Sequence, residues 1–161
     1  MAINQKSNVL VIDDGTREYV VENKFGKVIC KMYIRPADFS ILDRYNDFVK
    51  DFESIVEPLT KIDMNADGTA AFEEGLATLK AAEDEIKRRF NKLFDMEEAD
   101  EIFAQRNPFS SVGGKFFCET VLEALASVIE EAMKEETAKT EKRVAKYLSE
   151  DAQRQNKRAK G

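Results

Sequence analysis

The strongest pattern for chemistry in this chain of 161 residues is a twelve-residue acidic stretch, Asp63 to Glu74, which reads DMNADGTAAFEE. It fits the calcium-loop pattern D-x-[DN]-x-[DN]-G-x5-E. Asp63, Asn65 and Asp67 alternate, so their oxygens can converge on a hard cation. Gly68 permits the sharp turn, and Glu74 supplies two oxygens at the twelfth position. Three features oppose that reading. Ala70 stands at the eighth position, where a paired loop carries a β-branched residue. Only one such loop is present, and these loops work in pairs. Asp, Asn and Gly also build any turn between helices, with Thr69 or Asp67 as the cap. The expectation is therefore a plain helix connection with no metal or cofactor, and a calcium-binding helical module is an alternative.

No other constellation points to catalysis. The chain has no histidine, which removes the commonest general base, the commonest zinc ligand and any nucleophile paired with imidazole. Ser110 and Ser111 have no base beside them. Gly113-Gly114 is too short to cradle a phosphate. Cys30 and Cys118 are far apart, sit in apolar patterns and lack metal-type spacing, so two buried free thiols are expected. The residues thus point away from an enzyme.

The net charge is −6, unevenly divided. Residues 134–161 hold nine Lys/Arg against five Asp/Glu, a net of +4, which leaves −10 on the rest. An acidic body with a basic tail argues against nucleic acid as the main ligand. No apolar run approaches the eighteen or so residues of a membrane helix. The opening MAINQKSNVL has neither a basic n-region nor an apolar h-region, so no signal peptide is expected and the reading is cytoplasmic.

The elements that position these residues follow from the hydrophobic period, which changes from two to 3.6 near Pro36. Asn8–Asp13 (NVLVID) reads as a first strand, Asp14-Gly15 as a hairpin turn and Arg17–Glu22 as a second strand. Asn23–Gly26 turns into Lys27–Ile34, with Val28, Cys30, Met32 and Ile34 on one face. A three-stranded antiparallel sheet is expected. After Pro36, capped by Asp38 or Ser40, a helix carries Ile41, Tyr45, Phe48, Phe52, Ile55 and Leu59, widened by Leu42, Val49 and Val56, and ends near Pro58. A second helix carries Phe72, Leu76, Leu79, Ile86, Phe90 and Leu93. Asp95 is expected to cap a short third helix with Ala99, Ile102 and Phe103.

The last helix follows Asn107-Pro108 and Gly113-Gly114, with a seam of Phe117, Val121, Leu125 and Val128 beside Leu122, Ile129 and Met133. Beyond Met133 only Val144, Tyr147 and Leu148 interrupt the charges. The fold expected is α+β: a small N-terminal three-stranded antiparallel sheet packed on a mainly helical body with a long C-terminal helix. One domain spans residues 1–150, with strands over about 8–34 and helices over about 38–150. Residues 151–161 form a basic tail without apolar periodicity, expected to be disordered.

Four stretches carry a resemblance: Ile34-Arg35-Pro36-Ala37-Asp38 after the strands, the Arg44-Tyr45 pair, Leu93-Phe94 with Ile102-Phe103, and NPFSSVGGKFFCETVLEAL from Asn107. In these the chain resembles the small tail assembly chaperones of tailed phages and prophages of Gram-positive bacteria. The resemblance covers most of the chain and rests on packing residues. It implies a non-enzymatic chaperone of the host bacterial cytoplasm that binds the tape measure protein before the tail tube polymerises around it. Tail tube protein is a second partner it allows, and a homo-oligomer is open. The contrasting reading is a structural virion component, a connector or minor tail protein. A holdase needs apolar groups ringed by charge, and the candidates for partner binding are Phe109, Phe116, Phe117, Val144, Tyr147 and Leu148.

Overall fold

In the computed structural model, residues 8–62 and 69–159 are described. Two strands, β1 (Arg17–Glu22) and β2 (Val28–Ile34), pair antiparallel around the Asn23–Gly26 turn. Asn23 closes that turn: its side-chain oxygen accepts from the Phe25 and Lys27 amides. Alternation then sorts the residues. Cys30, Met32 and Ile34 are buried beside Tyr19 and Val21, while Glu18, Val20, Lys31 and Tyr33 face out. A bulge between Val21 and Glu22 breaks the register, and Val28, opposite Glu22, is exposed despite its even spacing from Cys30.

The sheet has two strands and not three. Asn8–Asp13 pairs with nothing described, and Val9, Leu10, Val11 and Ile12 are 58–93% exposed. The cause lies in the Asp-Asp-Gly-Thr turn. A two-residue hairpin of the favoured kind needs positive φ at both central residues, and in this turn only Gly15 has it, at +83°. Asp13 instead accepts from the Gly15 amide, and Asp14 accepts from the Thr16 amide and hydroxyl. Those local bonds hold the chain open.

Helix α1 (Ser40–Thr60) begins where the Asp38 carboxylate accepts the Ser40 amide, 3.0 Å away, and it ends just past Pro58. Its buried face is Ile41, Phe48 and Ile55. Helix α2 (Thr69–Phe94) packs on α1 and supplies the centre of the core through Ile86, Phe90, Leu93 and Phe94. Asp95 does not cap the next helix. It ends α2 with φ +49°, and the single turn α3 (Ala99–Ile102) is capped by Asn91, whose side-chain oxygen accepts the Ala99 amide at 3.0 Å.

Asn107 starts the connection to the last helix by accepting the Phe109 amide on its side chain. Gly113 and Gly114, both with positive φ, form the two-residue turn between β3 (Ser111–Val112) and β4 (Lys115–Phe116). Helix α4 (Phe117–Ala159) follows directly. Glu119 reaches back to the Phe116 amide at 2.8 Å, as the third residue of a capping box does. Because α4 continues to Ala159, most of the stretch expected to be an irregular basic tail is helical.

The core is a run of touching aromatic rings. Phe48 meets Phe52 and Phe90, Phe90 meets Phe103, and Phe103 meets Phe117, with centroids 5.3–5.8 Å apart. Offset and edge-on pairs of this kind add to simple area burial. Two arginines join the elements, Arg44 linking α1 to α2 and Arg35 linking the end of β2 to its surroundings. Arg44 donates from Nε to the Leu93 carbonyl at the end of α2, and Arg35 pairs with Asp14, Asp38 and Asp95.

Candidate partner-binding surface

The inner half of α4 packs on the core through Cys118, Leu125, Ile129 and Ala132, and its last tie is the pair between Glu136 and Arg17 at 3.0 Å. From Thr137 to Ala159 every residue is exposed. These 23 residues extend about 35 Å at 1.5 Å per residue. A helix without tertiary packing has only its propensity to hold it. Its composition of Ala, Lys, Arg, Glu and Gln suits a helix, and it grows from a packed stem, so the nucleation step is already made.

On this projecting half Val144, Tyr147 and Leu148 share one face and are 44%, 64% and 67% exposed. Arg143 and Arg154 border that face on one side and Glu141 on the other, Asp151 falls within it, and Lys142 and Lys146 lie behind it. Among the described residues the ion pairs of α4 stop at Lys139 with Glu136, and none of these four cations has an acidic partner. The arrangement is a small apolar cluster with unspent positive charge beside it. It suits an apolar stripe on another helix with acidic flanks.

The three phenylalanines stand elsewhere and differently. Phe109, Phe116 and Phe117 are partly buried and packed against the core. Phe109 and Phe116 meet edge-on at 5.5 Å, and Phe117 is covered by Phe103 on one side and the Arg106 guanidinium on another. The structure therefore brings these three together at the root of α4, well away from Val144, Tyr147 and Leu148. Of the acidic loop, Asp63, Asn65 and Asp67 lie outside the described residues, as do the side chains of Thr69 and Ala70. Glu74 is exposed on the first turns of α2. Among the described residues no cluster of metal-ligating side chains occurs, and no helix is long and apolar enough to cross a membrane.

Two open surfaces were not singled out in the sequence. One is the unpaired run Val9–Ile12. The other is a flank of α1, where Leu42, Tyr45 and Val49 stay half exposed beside the buried stripe. The second was legible in principle. Nine apolar positions on one helix make an arc wider than a single buried face can hold.

Family models, curated proteins and solved structures were each compared with the chain, and none matches it.

Proposed function

We propose that this protein is a non-enzymatic tail assembly chaperone, which holds the tape measure protein of a tailed phage in the host bacterial cytoplasm before tail tube polymerisation. The observation that supports this reading best is the projecting half of α4. A helix kept clear of its own core, with Val144, Tyr147 and Leu148 exposed beside Arg143 and Arg154, has the form of a docking element. The client the resemblance suggests is a long helical protein with apolar stripes, and its capture requires no covalent step. Burial of three such side chains is worth about 1.5–3 kcal/mol each before ordering costs. That is enough for reversible holding and too little for permanent attachment.

The chain truncated after Glu136 tests the reading. It keeps the Arg17–Glu136 pair and every buried residue, so it should melt as the full chain does, yet recover less tape measure fragment in a pull-down. Full recovery by the folded truncation would move the binding surface to the root of α4, around Phe109.

A further inference from the structure

Val9, Leu10, Val11 and Ile12 are four branched apolar residues in a row, 58–93% exposed, and none makes a backbone hydrogen bond among the described residues. Val and Ile favour strands, and an extended apolar run with free backbone groups invites pairing. The sheet has a matching vacancy. β1 is six residues long, as is the arm Asn8–Asp13, and it bonds along one side to β2 and along its other side to nothing described.

Arm and edge fit in one antiparallel register. With Asp13 opposite Arg17, Val11 stands opposite Tyr19, Leu10 opposite Val20 and Val9 opposite Val21. Directly opposite residues share a face. Val9 and Val11 then join Tyr19 and Val21 on the side of the sheet that packs on the core, and Leu10 covers Val20, which is 49% exposed in the single chain. Asp13 meets Arg17 with opposite charge. A slip by one residue either way moves Val9 and Val11 off that face, and one of the two slips sets Asp13 against Glu18.

The chain's own arm does not take this place. It runs from Val9 into β1 without a turn or bend. Asp13 accepts the Gly15 amide, Asp14 accepts the Thr16 amide and hydroxyl, and Asp14 also pairs with Arg35 at 3.5 Å. A reversal between Asp13 and Arg17 would disrupt those bonds, so the arm that fits β1 comes from another molecule.

We propose that two copies of this chain exchange N-terminal arms, each laying Asn8–Asp13 antiparallel along the open edge of the other's β1. Two-fold symmetry makes the pairing twice. In this register Gly15 of one copy crosses Gly15 of the other, where neither has a side chain to obstruct the approach and the space beside the residue is open. The exchange uses none of the residues assigned to client capture, so failure of either reading leaves the other standing.

Cysteine cross-linking and sedimentation equilibrium test the exchange. Leu10→Cys and Val20→Cys each replace an exposed side chain, and the native Cys30 and Cys118 are buried. Opposite residues of paired strands come within the roughly 4.4–6.8 Å between Cα atoms that a disulfide spans. Under mild oxidation a mixture of the two single variants should give at least about tenfold more covalent dimer than either variant alone. The double variant Leu10→Cys, Val20→Cys should run as a covalent dimer on a non-reducing gel. The wild-type chain should show a reversible monomer–dimer equilibrium in sedimentation. Leu10→Pro with Val11→Pro should weaken it at least about tenfold, because adjacent amides point to opposite sides and one of the two must face β1. Both sites lie outside the core, and circular dichroism verifies that the variant is folded. A disulfide closed within one chain would overturn the proposal, as would a mixture that stays monomeric under oxidation. So would a wild-type chain that is monomeric throughout, or a dimer that the two prolines leave at full strength.

Discussion

Cys118 begins the long helix with its thiol buried, and burial pushes its pKa up to about 12, with the Glu119 carboxylate adding to the effect. Cys30 is shifted up for the same first reason. Both thiols are free, and both are held as neutral, unreactive groups. A thiol-specific reagent at pH 8 should leave the native chain essentially unmodified and label two cysteines once it is denatured. The sign of the pH dependence follows. The folded state keeps the Cys118 proton after the unfolded chain has lost it, so stability should fall as pH rises from about 9 towards 12. Cys118→Ala should flatten that alkaline decline, at the cost of packing. At the acid end the Asp38 carboxyl lies below its usual value, chiefly because it accepts the Ser40 amide, with Arg44 and Arg35 adding. Its contribution is present above about pH 4 and is lost as pH falls through its folded pKa. Arg44 has a separate role, since its Nε–H satisfies the Leu93 carbonyl at the end of α2. Arg44→Ala should cost about 1–2 kcal/mol in a denaturant titration, and Arg44→Lys should recover little, because an ammonium cannot reproduce the flat donor geometry.

Among the elements, the two halves of α4 should answer differently to the same substitution. Phe117 closes the aromatic run from Phe48 through Phe90 and Phe103, so Phe117→Ala should destabilise the chain by roughly 2–3 kcal/mol, less than a fully buried ring would cost. Tyr147→Ala touches nothing in the fold and should stay within about 0.5 kcal/mol of the wild type by thermal or chemical unfolding. The helices were readable because steps of three and four are set by helix geometry, and the positions of Phe48, Ile55, Ile86, Phe90 and Leu93 fell where that rule puts them. β1 and β2 were readable from alternation. Asn8–Asp13 had the right residues for a strand, but pairing depends on the turn that follows, and Asp13 and Asp14 spend their carboxylates on nearby backbone amides. The cap of α3 was misassigned to Asp95 because the residue that supplies it, Asn91, lies eight positions upstream and is brought there by the end of α2. Of the candidate surface, Val144, Tyr147 and Leu148 were visible as apolar residues without enough neighbours to form a core stripe. That Phe109, Phe116 and Phe117 would be tucked against the body was not, since an aromatic pair reads alike at a core and at an interface.

As a whole, the molecule is an acidic body with a basic helical segment that stands clear of it, and the proposed function puts its stability and its binding in separate parts. If the outer half of α4 captures an apolar helical client, damage to its apolar face should change affinity and leave folding alone. The most direct measurement is a titration of a labelled tape measure fragment with the full-length chain and with the double variant Val144→Asp, Leu148→Asp. Both residues are exposed and outside the core, so the two chains should melt together. The account predicts that the variant binds the fragment at least about tenfold more weakly, the loss of roughly 1.4 kcal/mol or more. A folded variant that binds the fragment with unchanged affinity would contradict it.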